Sequence, residues 1–457
     1  MPTTTPYAAA RTSAGAGTPA TSPMPGDAPA GAAYDRRGAA PLITGMGVVA
    51  PNGLGTRAWW RATVEGRSGI GPVTLFDASG YPSRLAGEIP DYDPTAHVPS
   101  RLLPQTDRMT RLALYAAAEA FADAGIDPAA LPGYAAGVVT ASTAGGFEFG
   151  QRELQALWSK GSRFVSVYQA FAWFYAVNTG QISIRHQLRG PGGVLVSDST
   201  GGHGALAEAR RHLRTDTHTL LAGGIDSTLC PWAWTAHLST GTLSTGDDPA
   251  TAYRPYACDP TGQIIGEGGA LLVLEDPATA RARGARSYGA LTGYATAFDP
   301  VPDRPDGLIR AMQQALSDAG LDTGDIDIVF LDAAGTAAAD RAESEALRDL
   351  FGPHGVPATA PKTMTGRLGA GQGALDIATA LRALRYGTVP PTVNTVPDPR
   401  HDLDLVTGRP RRAPLTHALV IGRGHGGFNA ATVLSAEPAV PGAAGNPSGA
   451  QENGGQR

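Results

Sequence analysis

VLVSDSTGGHGALAEARRHLR, residues Val194 to Arg214, is the stretch whose reading decides the fold. An apolar run, Val194 to Val196, meets serines and glycines. A helical pattern then opens with Leu206, Ala209, Arg210 and Leu213 on one face. Ser199 is therefore expected at a tight strand-to-helix turn, close to the partial positive charge of a helix N-terminus. Enzymes place nucleophiles at such turns. Whether this one is armed depends on the rest of the chain.

Outward from that turn, PLITGMGVVAPNG (Pro41 to Gly53) reads as a buried strand ending in a Gly/Pro/Asn turn. Short apolar strands and Ala-rich helical segments then alternate to the end, the pattern of an α/β fold. An internal duplication sharpens it. AFADAGIDPAALPGYAAGVVTASTAGG (Ala120 to Gly146) parallels ALSDAGLDTGDIDIVFLDAAGTAAA (Ala315 to Ala339). Gly125 and Gly320 are natural helix C-caps in the two copies. GGHGALAEARRHL (Gly201 to Leu213) corresponds to GQGALDIATALRAL (Gly371 to Leu384), and TLLAGGIDST (Thr219 to Thr228) to ALVIGRGHGG (Ala418 to Gly427). Three matched elements in one order predict two related α/β halves packed as a single body, with a pocket where their loops converge. A long insertion, Phe147 to Leu195, interrupts the first copy. Its aromatic FAWFYAV stretch (Phe171 to Val177) is expected to form a subunit interface.

Composition narrows the function classes. The chain has 457 residues, of which 42% are apolar and 17% charged, with a formal net charge of -5. That balance makes neither nucleic acid nor an anionic membrane a natural partner. FAWFYAV is far shorter than a membrane span. Cys230 and Cys258 are the two cysteines and have no metal-ligand spacing, so both read as buried small hydrophobes. No metal or other cofactor is called for. The runs GEGG and GRGHGG lack the spacing of a dinucleotide fingerprint and read as tight turns. Residues 1–40 are rich in Ala, Pro, Thr and Gly without periodicity and are expected to be a disordered leader, as are 437–457 at the other end. The halves are expected at 41–290 and 291–436. A secretory h-region is missing from the leader, so a cytoplasmic protein is expected.

The duplicated architecture and its strand-to-helix turn resemble the thiolase fold, layered αβαβα, and within it the ketosynthases. TGMGVVAPNGLG, YRPYACDPTGQIIGEGGALLVLED and GRGHGGFN lie in that family's order, and the likeness runs from about Pro41 to about Leu434. The resemblance implies a cysteine at the turn and two histidines, one in an AHGT-type loop and one in a KxxxGH-type loop. This chain has Ser199 at the first position, Ala334 in DAAGTAAAD at the second, and Arg367 in KTMTGRLGAG at the third. Lys362 and Thr336 are retained.

Loss of all three with the surrounding loops kept is similar to the chain length factor, the ketosynthase-beta subunit of bacterial type II polyketide synthases. LLPQTDRMTRLAL, FVSVYQAFAWFYAVNTGQISIRH, PKTMTGRL and GGFNAA are close to its form. The likeness implies a heterodimer with a catalytic ketosynthase-alpha subunit that condenses units on an acyl-carrier-protein. It also implies an interfacial tunnel gated at Phe147, Gly150, Leu154 and Ala233. Gly150 and Leu154 are smaller than the residues that close such a tunnel, which implies a long cavity. Most chain length factors carry Gln at the position of Ser199, associated with malonyl decarboxylation; serine lacks the carboxamide. Versions without that Gln occur in polyene-type systems, so the product is open between aromatic and polyene classes.

The alternative is an acyltransferase or malonyl decarboxylase that uses Ser199. A serine hydroxyl needs an adjacent base, and His203 and His425 are the candidates. Arg367 is expected to pair with an acidic residue or to line the pocket floor. Lys362 reads as a pairing residue, and His425 as a pocket-lining residue at a position where ketosynthases often carry Phe.

Overall fold

The computed structural model describes residues 39–132, 134–215 and 217–437. The expected leader and tail therefore lie outside the described residues, apart from Ala39, Ala40 and Glu437.

In the first half, β1 (Leu42–Ala50) is buried along its whole length. The strand turns at Pro51–Asn52, and Gly53–Leu54 pairs back on it. Next come α1 (Arg108–Ala124), β2 (Ala136–Ala141), α2 (Phe147–Lys160), α3 (Val177–His186) and β3 (Gly192–Leu195). α4 (Gly201–His212), β4 (Thr219–Asp226), α5 (Pro231–Ser239) and β5 (Gly268–Glu275) complete it. The second half repeats the plan with β6 (Gly289–Phe298), α6 (Asp306–Ala319), β7 (Ile328–Phe330), α7 (Ala337–Phe351) and β8 (Pro357–Thr359). α8 (Gly371–Tyr386), β9 (His417–Gly424) and β10 (Phe428–Ser435) close the chain.

Strand order in the first half is β3-β2-β4-β5-β1, and in the second β6-β10-β9-β7-β8 with Asp404–Leu405 at the edge. The two orders are the same plan, joined where β1 meets β6 through Leu42 opposite Ala290 and Ile43 opposite Gly289. Gly125 and Gly320 end their helices in the left-handed conformation, at φ 66° and 67°. A side chain there would be strained, which is why glycine marks both ends.

α4 and α8 pack together as the central layer. Every residue of α8 from Gly371 to Leu384 is buried, Asp376 among them, as in a helix covered on all sides. One core gathers Leu206, Leu375, Ile377 and Leu381 of this layer with Ile43, Met46, Leu272 and Phe330 of the strands. α1 covers the outer face of the first half through Leu112, Ala116 and Phe121. α6 and α7 cover the second through Leu308, Met312, Ala346 and Leu347. The result is the αβαβα layering.

Two expectations need correction. Cys230 is buried but Cys258 is exposed. It lies in the loop that follows Tyr256, whose own φ of 62° turns the chain outward. Val196 is 53% exposed and lies outside β3, which ends at Leu195. β3 pairs only with β2 and is an edge strand, so its end is not covered as an inner strand would be.

Candidate functional site

Between β3 and α4 the chain makes one short turn of 3₁₀ helix, Asp198–Thr200, and Ser199 sits at its centre, 3% exposed. Asp198 adopts φ 48°, a left-handed conformation unusual for a side chain with a Cβ. Its carboxylate accepts the backbone N–H of His425 at 3.0 Å, which ties this turn to the one between β9 and β10. Ser199 is thus placed at the end of a helix on a strained turn, as the sequence predicts.

Three other loops meet it. The segment Leu331–Thr336 after β7 carries Asp332 and Ala334, the segment before α8 carries Arg367 and Gly369, and the β9–β10 turn carries His425. Together they enclose a cavity of about 560 Å³ lined by Ser199, Asp332, Ala334, Thr336, Arg367, His425 and others. Loops of both halves therefore converge as the duplication predicts.

The chemistry of the cavity floor is set by Arg367, itself buried. Its guanidinium donates to the Asp332 carbonyl at 2.7 Å, to the Asp332 carboxylate at 3.1 Å and to Ser199 Oγ at 3.1 Å. It both pairs with an acid and lines the pocket. Burial alone would raise the Asp332 carboxyl, but the charges of Arg367 and Lys362 reverse this and hold it below the ordinary range. Arg367 is shifted well upward by Asp332, against burial. A cation of this kind cannot accept the Ser199 proton.

The two histidines near the turn are placed differently. His203 is fully buried and bonds Thr432 Oγ1 at 2.8 Å through Nδ1, while its Nε2 has no partner. Burial pushes it down to about 3. Its ring packs against Gly373 and Gly422 beneath the cavity. His425 lines the cavity and is exposed, with only its backbone bonded to the serine turn. Lys362 is wholly buried, 2.9 Å from the Asp376 carboxylate, with a further hydrogen bond to the Leu331 carbonyl. It is a pairing residue.

The loop that carries Ala334 is held by two buried carboxylates. Glu343 accepts the backbone N–H groups of Asp332 and Ala333 at 2.7 and 2.9 Å, and the Tyr256 hydroxyl at 2.6 Å. Asp340 accepts from Gly335 and Tyr256 at 2.9 and 3.0 Å. Burial raises both carboxyls, Asp340 to about 7. Asp226, pushed by burial up to about 6, joins Ser142 and Thr143 of the first half to the N–H of Ala370 in the second. Sequence reading missed Asp226, Asp332 and His237 as cavity residues. Each is an ordinary polar residue at a strand end or helix face, and only the fold brings it to the pocket.

Phe147, Gly150, Leu154 and Ala233 do not line this cavity. The Phe147 ring lies 4.6 Å from that of Trp232, and a Cβ on Gly150 would come 3.3 Å from Trp232 and 3.5 Å from Trp173. Leu154 lines a separate open groove of about 520 Å³ with Trp158 and Trp232. Ala233, next to Trp232, is buried. The surrounding face carries Trp158 at 84% exposure, together with exposed Phe171, Trp173, Phe174 and Tyr175. Most of the aromatic stretch is thus surface rather than core.

Comparison with known proteins adds to this geometry. The family model described as beta-ketoacyl synthase, N-terminal domain, matches residues 42–280, and the C-terminal domain matches 287–396. The chain belongs to the beta-ketoacyl synthase family. Among the beta-ketoacyl synthases, it is 53% identical over 398 residues to the tetracenomycin polyketide synthase ketoacyl synthase beta subunit of Streptomyces glaucescens. That match covers 86% of this chain and 97% of the relative. The solved structure of the ishigamide ketosynthase/chain length factor is similar at a TM-score of 0.81 and 29% identity, covering 87% of this chain and 99% of that one. A type II acyl-carrier protein in complex with its ketosynthase bound to the hexaketide is similar at 0.79 and 25%, covering 87% and 99%. Among the described residues no helix is long and apolar enough to cross a membrane.

Proposed function

We propose that this chain is the ketosynthase-beta subunit, or chain length factor, of a type II polyketide synthase. In this reading it does not condense. It pairs with a ketosynthase-alpha subunit that carries the reacting thiol, and it bounds the space into which a carrier-protein-bound chain grows. The observation that carries this reading is the Ser199–Arg367 hydrogen bond. A cation occupies a catalytic position of the family, Ala334 leaves another without an imidazole, and the loops around both remain built. The similarity to a ketoacyl synthase beta subunit supports it from a different direction.

The exposed aromatic face around Trp158, Trp173 and Trp232 is the surface we assign to the partner. An apolar patch of this kind in water calls for a cover. On that face Phe147, Gly150, Leu154 and Ala233 are proposed to border the path of the growing chain, with Gly150 leaving it open. The junction between halves is proposed at 290/291, near the start of β6 (Gly289–Phe298). A cytoplasmic location belongs to the same reading.

The chain's two lysines make a direct test, since Lys362 is wholly buried and Lys160 is exposed at the end of α2. Amine-reactive labelling of the purified chain is expected at Lys160, and co-purification with a ketosynthase-alpha subunit is expected to protect it. Elongation of malonyl-carrier substrate is expected from the pair and not from the chain alone. Activity of the chain alone that disappears in Ser199→Ala would establish the acyltransferase or decarboxylase reading instead.

A further inference from the structure

Gln151 stands on α2 between Gly150 and Leu154 and reaches across to α5. Its Oε1 accepts the backbone N–H of Trp232 at 2.6 Å. That N–H belongs to the first turn of α5, which begins at Pro231. First-turn N–H groups have no acceptor within their own helix, and Pro231 has no N–H to offer. Gln151 therefore caps α5 from a different helix. α2 is itself anchored on both sides of this residue. Asp107, the N-cap of α1, accepts the Phe149 N–H at 2.8 Å, and Glu153 accepts the Ser166 N–H at 2.7 Å. Gln151 carries that anchorage over to Trp232, whose ring lies on Phe147 and over Gly150.

The same side chain lies between two spaces. On one side is the open groove that Gln151 lines with Leu154, Trp158 and Trp232. On the other is a separate cavity of about 330 Å³, lined by Tyr92, Arg108, Arg111, Cys230 and Pro231 among others. Gln151 is common to both linings. The start of α5 divides the same way, with Trp232 on the groove and Cys230 and Pro231 on the cavity. The bond from the Trp232 N–H to Gln151 thus closes the wall between them. The cavity behind that wall is polar on one side. Arg108 and Arg111 donate through Nε and Nη2 to Glu267, Ile89, Leu103 and Thr106. Among the described residues neither Nη1 has an acceptor. Free guanidinium N–H groups suit a chain that carries carbonyl oxygens at regular intervals.

We infer that Gln151 is a length-determining residue. By holding Trp232 it keeps the groove apart from the cavity behind it, and so ends the space open to a growing poly-β-carbonyl chain. The inference rests on the path proposed above for that chain. Gln151 touches no reacting atom. It is a positioning residue that acts through Trp232.

The test uses the full chain reconstituted with a ketosynthase-alpha subunit, with product length read by mass spectrometry. Gln151→Ala is expected to move the main product to a longer chain by at least one extension unit. Gln151→Glu keeps an oxygen at the same reach, where a helix N-terminus favours a carboxylate, and is expected to restore the parent length. Loss of stability alone would lower the yield without moving the length. The free chain gives a second readout. Amide exchange at Trp232 should be about tenfold faster in Gln151→Ala, the worth of one hydrogen bond, and should return to the parent rate in Gln151→Glu. Parent length from Gln151→Ala, a longer product from Gln151→Glu, or equal Trp232 exchange in the parent and Gln151→Ala overturns the inference. Gly150→Phe separates it from the reading beneath it. Shortening by Gly150→Phe beside parent length from Gln151→Ala removes Gln151 and leaves the path in place. No shift in either variant removes both.

Discussion

Arg367, from the loop before α8, donates a 3.1 Å hydrogen bond to the hydroxyl of Ser199, from the turn before α4. The two residues belong to opposite halves of a duplicated fold. Where the family resemblance implies a cysteine and a histidine, an acceptor and a donor close the seam.

The ion pair behind this bond is expected to hold the seam. Arg367→Met leaves the buried Asp332 carboxylate without its partner and should cost about 3–5 kcal/mol. Ser199→Ala removes one hydrogen bond and should cost about 1 kcal/mol. Urea unfolding of the two variants measures the difference. Equal costs would mean that the Asp332 pair contributes nothing to the seam.

Ser199→Cys tests what the turn can still do. The cation beside it and the helix N-terminus should bring the new thiol below its ordinary value of about 8.5. Alkylation rate against pH, followed at this site by mass spectrometry, reports the titration. Condensing activity should remain absent, because Ala334 offers no imidazole to the incoming thioester. Gain of condensation by this single change would show that the missing thiol alone disarmed the site.

His203 supplies a pH dependence whose sign can be worked out. In the folded chain burial holds its pKa at about 3, against 6.5 as the ordinary value. Between these values the unfolded state binds one proton more, so His203 makes stability rise with pH. Its contribution is complete above about 6.5 and is lost as the pH falls toward 3. Asp107, Asp226 and Asp340, raised by burial to about 7, 6 and 7, act in the opposite direction over their own range. The difference between parent and His203→Asn isolates the histidine. Their stability curves from pH 3 to 7 should converge at the acid end, and parallel curves would contradict the assignment.

Gly373 should tolerate no side chain. A Cβ there would stand 2.5 Å from the His203 ring and 2.9 Å from the Ser199 carbonyl. Gly373→Ala is expected to cost about 1–3 kcal/mol through overpacking. Gly324, with open space around its Cβ position, is the control. Thermal melting of Gly373→Ala and Gly324→Ala separates the two, and similar melting temperatures would show that the central layer can yield.

The proposed path on the aromatic face is open to a product measurement. Gly150→Phe, with its ring directed at Trp232 and Trp173, is expected to shorten the polyketide made by a reconstituted pair. Leu154→Phe should act in the same direction. Chain lengths unchanged in both variants would remove these residues from the path.

Much of this molecule was legible in the chain because its signals are local or repeated. Glycine at 125 and 320 marks helix ends through the left-handed backbone it alone adopts easily, and matched segments in both halves announce the duplication. The replaced positions Ser199, Ala334 and Arg367 can be read by inspection. What the sequence by itself determined, then, was two α/β halves, a strand-to-helix turn, and the loss of the residues that would arm it. Only the tertiary structure decided that Arg367 bonds both Ser199 and Asp332, that His203 is sealed against Thr432, and that Cys258 faces water. It also separated Gly150 and Leu154 from the Ser199 cavity. The reason is physical. Helix and strand periodicity act over a few residues, whereas these partners lie from 35 to 229 positions apart. They meet only when the two halves close on α4 and α8.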